Sequence, residues 1–143
     1  SPLRLERNRG GGFDVLARAA VGEEDARVAR QRAADLFLDT LPCNAHTTAS
    51  DALWVGLPLL TCAGQSFTSR VAASLLHAMD APELIAPTLA DYESLAVALA
   101  QEPARLKSIR DKLLRNRDTS PLFDTVTYSR DLEALYMRMI EEP

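Results

Sequence analysis

Apolar and polar positions along the chain fall into two alternating patterns. Leu36-Phe37-Leu38 is a short apolar run between Asp35 and Asp39, Leu59-Leu60-Thr61 is a second ended by Ala63-Gly64, and Leu84-Ile85-Ala86 is a third closed by Pro87. Runs this short and this apolar, bounded by charge, glycine or proline, predict buried strands. Helical spacing lies between them. Glu23-Glu24-Asp25 opens a helix to about Ala34, with acid where the macrodipole favours it. Thr47 to Val55 suits a helix, with Gly56 as its C-terminal stop and Pro58 beyond. Between Phe67 and Met79, the residues Phe67, Val71, Leu75 and Met79 recur at helical spacing and predict one apolar face. After Pro87 the pattern stays helical. Tyr92, Leu95, Ala96 and Leu99 share a face, and Pro103 opens a helix whose buried side is Leu106, Ile109 and Leu113. Ser120-Pro121-Leu122-Phe123 interrupts, and a last helix carries Tyr128, Leu132, Leu135, Tyr136 and Met139, with Tyr128, Tyr136 and Met139 reading as a buried stripe.

Strands alternating with crossovers of about a dozen residues or more imply a parallel sheet. The expected fold is therefore α/β, a Rossmann-like parallel sheet with helices on both faces and a helical C-terminal tail, spanning residues 23–143. Residues 1–22 read differently, as a flexible or truncated N-terminal segment: four arginines fall between Arg4 and Arg18, and Gly10-Gly11-Gly12 breaks the chain. The glycine triplet fits neither the dinucleotide-binding nor the phosphate-loop spacing, so a linker is expected, with Phe13 to Val21 free to add a short strand or helix. A length of 143 residues, 47% of them hydrophobic and 25% charged, is that of one packed domain. The net charge of −4 argues against a nucleic-acid partner, which needs a dense basic face. The longest apolar stretch, Ala52 to Gly64, is broken by Pro58 and is shorter than the roughly 20 residues of a membrane helix. No apolar run follows Ser1-Pro2-Leu3-Arg4, so neither membrane nor secretion is expected. Cys43 and Cys62 are too few for a disulfide scaffold and lack a zinc pattern, which points to a reducing compartment.

In sheets of this kind ligands bind beyond the carboxyl ends of the strands, against helix N-termini. The segment from Asp39 to His46 joins a strand to a helix that starts with Thr47-Thr48. Free backbone amides, two hydroxyls and an imidazole meet there, which suits a phosphate or diphosphate. Asp51, one turn further on, is placed to accept hydrogen bonds from a ribose diol. The competing reading is local: Thr48-x-x-Asp51 has the spacing of a capping box, with Thr48 as the N-cap. Both readings fit the residues.

Read as a string, Leu38-Asp39-Thr40-x-x-Cys43-Asn44-x-His46-Thr47-Thr48-x-x-Asp51-x-Leu53-Trp54 resembles the C-terminal catalytic half of the O-linked N-acetylglucosamine transferases. Ser69-Arg70-Val71-Ala72-Ala73-Ser74 is similar as well, and so is Ser120-Pro121-Leu122-Phe123 followed by Tyr128 and the helix from Leu132 to Tyr136. The similarity runs from about residue 26 to 141, with its motifs in one order. It implies one half of a twin-Rossmann, GT-B glycosyltransferase that inverts configuration, works in the cytoplasm without metal and is often preceded by tetratricopeptide repeats. UDP-GlcNAc would be the donor, UDP the product and a protein Ser/Thr hydroxyl the acceptor.

Position by position, the resemblance implies that His46, Thr47 and Thr48 hold the diphosphate of UDP, that Asp51 holds the ribose hydroxyls and that Arg30 lies near the nucleotide. Val21-Gly22 falls at the segment that grips uracil. Arg27 stands where relatives can carry histidine, Glu24 where a basic residue is usual and Gln65 where many carry glutamate. Breaking the sugar–phosphate bond builds charge on the diphosphate, which donors aimed at it stabilise. No Asp-x-Asp occurs as a magnesium or manganese site. The sugar-proximal groups, the acceptor groove and a diphosphate-binding lysine of the family precede the matched stretch, so the remaining catalytic half is an expected partner and no residue of this chain is assigned as catalytic. Two other functions fit the same residues: a related cytoplasmic transferase moving glucose to asparagine, and a non-catalytic UDP-binding or interaction module. Elsewhere the expectations are structural. His77 reads as a surface or interdomain residue, Trp54 as core or interdomain packing, and Arg105, Lys107, Arg110, Lys112, Arg115 and Arg117 as a solvated basic face.

Overall fold

The computed structural model describes residues 5–7, 13–15 and 23–141. Strands β1 (Leu5–Arg7) and β2 (Phe13–Val15) pair antiparallel, with Leu5 opposite Val15 and Arg7 opposite Phe13. Gly10-Gly11-Gly12, Val21 and Gly22 lie outside the described residues. From α1 (Glu23–Arg32) onward the expected alternation holds: β3 (Phe37–Leu38), α2 (Thr47–Trp54), β4 (Leu59–Cys62), α3 (Val71–Ala78), β5 (Ile85–Ala86), α4 (Leu89–Gln101), α5 (Pro103–Arg117) and the tail helix α6 (Thr125–Glu141). Short 3-10 turns at Phe67–Ser69 and Pro82–Leu84 precede α3 and β5.

Strands β3, β4 and β5 form one parallel sheet with β4 in the middle, Phe37 beside Leu59 and Thr61 beside Ile85. Successive side chains of a strand point to opposite faces. All four residues of β4 are buried, so both faces of the sheet are covered. Helices α2, α3 and α4 pack on β4, and α5 packs on α2 and α4. Leu53, Leu59, Leu60, Leu76, Met79, Leu84, Leu99 and Leu113 are fully buried in one core. Gly56 ends α2 at φ 75°, a left-handed conformation that glycine adopts without strain, and a Cβ there would strike the Leu114 side chain at 2.6 Å. Asn116 Nδ2 donates to the Met79 carbonyl at 2.9 Å and Ser120 Oγ to the Ala78 carbonyl at 2.9 Å, anchoring the end of α5 to the end of α3.

Three expectations are corrected. The apolar face of the third helix lies elsewhere: Phe67 is 80% exposed, whereas Ala72, Ala73, Leu76 and Met79 are buried. A 3-10 turn and a break at Arg70 displace Phe67 from the helix, and small alanines let α3 sit close to the sheet. Tyr128, Tyr136 and Met139 are exposed, and α6 buries no residue. Its stripe is real, but nothing among the described residues covers it. Trp54 is 46% exposed on α2, with Phe123 edge-on at 5.0 Å and the Arg117 guanidinium over its ring at 5.0 Å. The basic residues of α5 stay at the surface as expected, with Arg105, Lys107 and Arg115 exposed, and several make ion pairs or hydrogen bonds there. Lys107 pairs with Asp111 at 2.7 Å, Lys112 with Glu83 at 3.0 Å, and Arg110 donates to the Ala34 carbonyl.

The division between core and tail is measurable. Leu113→Ala is expected to lower stability by about 2–5 kcal/mol through lost contacts and a cavity, and Leu135→Ala on α6 by no more than about 0.5 kcal/mol. Urea unfolding followed by circular dichroism compares them, and equal losses would place α6 in the cooperative core.

Candidate functional site

The carboxyl ends of β3 and β4 are joined by a buried polar knot. Asp39, directly after β3, accepts the amides of Thr40 at 2.9 Å and Ala45 at 2.7 Å on Oδ1, and the Thr61 hydroxyl at 2.6 Å on Oδ2. Its backbone carbonyl accepts the Tyr92 hydroxyl at 2.9 Å. The loop between Asp39 and His46 closes on itself. Thr40 Oγ1 donates to the Cys43 carbonyl at 2.7 Å, Asn44 Nδ2 to the Thr40 carbonyl at 3.3 Å and the Asn44 amide to the Thr68 carbonyl at 2.9 Å. Burial pushes the Asp39 carboxyl up from the ordinary 3.8, against the pull of Ala45, Thr61, Thr40 and the nearby His46. The Tyr92 hydroxyl is pushed up to about 12 by burial first, then by Asp39 and Cys62.

The loop delivers the start of α2. His46 is the N-cap residue, Thr47 and Thr48 are the first two helical residues, and the His46 carbonyl accepts the amides of Ala49 and Ser50, each at 3.1 Å. The His46 side chain makes no capping hydrogen bond. With His46 rather than Thr48 at the N-cap, the capping-box reading of Thr48-x-x-Asp51 does not hold. The same spacing does cap α4, where Thr88 Oγ1 accepts the Asp91 amide at 3.1 Å and donates to its carboxylate at 2.6 Å. His46 and Thr47 are exposed, Thr48 and Asp51 half-buried, and all four share the first turns of one eight-residue helix. Arg30 is not part of this cluster. It is exposed in the last turn of α1, next to Gln31, whose Nε2 donates to the Thr48 carbonyl at 3.0 Å and ties α1 to the helix start.

Phe67 meets the His46 ring edge-on, with centroids 6.3 Å apart, and also lines an open cleft of about 760 Å³. Gln65, Arg70, Val71, Ser74, His77 and Ile85 line the rest of that cleft. His77 is exposed there, as a surface or interdomain residue should be. Gly64 allows the turn that follows it to close: its amide donates to the Ser69 carbonyl at 2.9 Å, and a Cβ there would strike Ser69 Oγ. Cys43 is exposed and Cys62 buried, both as free thiols. Among the described residues no three His, Cys, Asp or Glu side chains gather as metal ligands, and no helix is long and apolar enough to cross a membrane. Val21-Gly22 lies outside the described residues.

The knot of Asp39, Thr61 and Tyr92 was not among the expected site residues. A hydroxyl inside an otherwise apolar strand, Leu59-Leu60-Thr61-Cys62, is the signal that announces it, since a buried hydroxyl needs an acceptor.

Comparison with known proteins follows the same stretch. The profile of glycosyl transferase family 41 matches residues 8–132. A UDP-N-acetylglucosamine-peptide N-acetylglucosaminyltransferase of Caenorhabditis elegans is 42% identical over 125 residues, covering 87% of this chain and 11% of its own length. A probable enzyme of the same name from Arabidopsis thaliana is 38% identical, over 88% of this chain and 13% of its own length. A solved structure of a mutant Thermobaculum terrenum O-GlcNAc transferase superposes with a TM-score of 0.74 at 30% identity, over 83% of this chain and 23% of that one. The chain thus spans a small part of the relatives it matches.

The raised Asp39 carboxyl has a pH signature. A carboxyl that binds its proton more readily when folded contributes stability that is full below about 3.8 and is lost as pH rises through its folded value. Asp39→Asn has no such component. The stability of the native chain minus that of Asp39→Asn is therefore expected to fall between pH 3.5 and pH 7 (about the span from protonated to ionised carboxyl) in urea titrations. A constant difference would contradict the shift.

Proposed function

The chain belongs to glycosyl transferase family 41, and from that membership we propose that it is the nucleotide-sugar-binding part of an inverting transferase that moves N-acetylglucosamine from UDP-GlcNAc to Ser/Thr hydroxyls of proteins. The observation that carries the reading is the helix start itself. His46, Thr47 and Thr48 stand at the N-terminus of α2, beyond the carboxyl ends of a parallel sheet, with no side-chain cap from His46. In this reading the three residues hold the diphosphate, Asp51 accepts the ribose hydroxyls and Arg30 approaches the nucleotide from α1. The rest of the catalytic region, tetratricopeptide repeats and a protein acceptor complete the assembly in the cytoplasm.

The chemistry follows from the leaving group. As an acceptor hydroxyl attacks the anomeric carbon, the bond to the β-phosphate breaks and negative charge grows on UDP. Backbone amides and the positive end of α2 are fixed in place before the reaction, so they favour the transition state over the ground state without reorganising. The imidazole of His46 and the hydroxyls of Thr47 and Thr48 add donors at the same point. Such a site stabilises the leaving diphosphate without a divalent cation.

Isothermal titration of UDP into this chain, beside His46→Ala and Asp51→Ala, tests the reading. Each substitution is expected to weaken binding by about 1–3 kcal/mol, the range for a lost charge-assisted hydrogen bond. EDTA is expected to leave the affinity unchanged. No binding at millimolar UDP, or variants that bind like the native chain, would remove the site from α2, and loss of binding in EDTA would overturn metal independence.

A further inference from the structure

Asp39 is buried, yet the geometry of the proposed ligand-facing turn runs through it. Its Oδ1 accepts the Ala45 amide at 2.7 Å, on the residue directly before His46. The loop's other ties fall earlier: Thr40 to Cys43, Asn44 to Thr40, and the Asn44 amide to Thr68. The opposite carboxylate oxygen is fixed by Thr61 at 2.6 Å, and Thr61 sits in the fully buried central strand. The chain of contact is therefore core strand, hydroxyl, carboxylate, amide, helix start. Each link is a short hydrogen bond between groups with little freedom to move.

We infer that Asp39 is the positioning residue of the diphosphate-binding turn, setting through the Ala45 amide the orientation in which His46, Thr47 and Thr48 meet the ligand. The inference rests on the donor-site reading above. A binding group displaced by even 1 Å loses much of its effect, and a turn that must be ordered on binding weakens the complex.

The test compares UDP with uridine, which lacks the diphosphate, by NMR titration of the native chain, Asp39→Ala, Asp39→Asn and Thr61→Val, with melting temperatures alongside. Asp39→Ala is expected to lower UDP affinity about tenfold and leave uridine within about twofold. Asp39→Asn keeps an oxygen for the Ala45 amide and is expected to recover most of the loss. A native UDP affinity in Asp39→Ala, an equal loss for UDP and uridine, or an Asn variant no better than Ala would each overturn the inference. If Asp39→Ala does not fold, Thr61→Val decides. It releases one carboxylate oxygen at nearly constant shape and is expected to move the UDP-to-uridine ratio the same way by about threefold, and an unchanged ratio overturns the inference. Failure of the native chain to bind UDP would remove the donor-site reading and this inference together. Native binding with unaltered variants would remove this inference alone.

Discussion

A single hydroxyl buried in the middle of the sheet ties fold to site. Thr61 lies on β4, where both faces are covered, and its side chain has no water to turn to. An unmet hydroxyl in such surroundings costs about 1–3 kcal/mol. The acceptor it finds is Asp39 at the end of the neighbouring strand, 2.6 Å away. That choice brings a carboxylate beneath the loop leading to α2, and the carboxylate's second oxygen takes the amides of Thr40 and Ala45. Tyr92 reaches the Asp39 carbonyl from α4 and closes the knot from a third element. This polar knot thus lies at the carboxyl ends of the strands, where ligands of this architecture bind.

The two T-x-x-D segments show how the same residues serve opposite ends. At α4, Thr88 and Asp91 satisfy each other, and the helix start is closed. At α2 the chain turns into the helix two residues earlier, so His46 takes the N-cap and the hydroxyls of Thr47 and Thr48 fall inside the first turn. Helix α2 gains nothing from its N-cap side chain. Its hold on the fold comes instead from the fully buried Ala49, Ala52 and Leu53 against β4, and from Gln31, which grips the Thr48 carbonyl from α1. A helix secured from its apolar side can leave its amide end open for chemistry.

Much of this was legible in the sequence, and the failures have physical causes. The apolar runs at Leu36, Leu59 and Leu84 lead into the three strands, most plainly at β4, which is buried on both faces and has no polar alternation to confuse it. Leu106, Ile109 and Leu113 are buried as their spacing predicts, because α5 is regular from Pro103 onward. Spacing misleads at α3 because periodicity presumes one unbroken helix, and the break at Arg70 separates Phe67 from the residues that pack. The α6 stripe shows a face suited to burial but not what buries it, and the chain spans only 11% of its Caenorhabditis elegans relative. The Asp39–Thr61 bond joins residues 22 positions apart on different strands, which local patterns do not connect. The His46-Thr47-Thr48 group is expected from the sequence because its members are adjacent in it, whereas the Asp39 knot beneath that turn is assembled only by the sheet.

Two carboxylates near a proposed dianion raise an electrostatic question, and their placement answers it. Asp39 points into the protein, where three N–H and O–H dipoles meet its oxygens, so its field is opposed locally. Asp51 is half-buried and lies one turn into α2 from its positive end. Two unit charges 4 Å apart repel by about 4 kcal/mol at the effective dielectric of a protein surface. On the proposed reading, a ligand with phosphate at one end and hydroxyls at the other would place its anion at the amides of α2 and its hydroxyls toward Asp51. Reversing it would set the phosphate against Asp51 and leave the hydroxyls at a positive end they cannot neutralise. An acid one turn into the helix is therefore compatible with the anion binding proposed at its start.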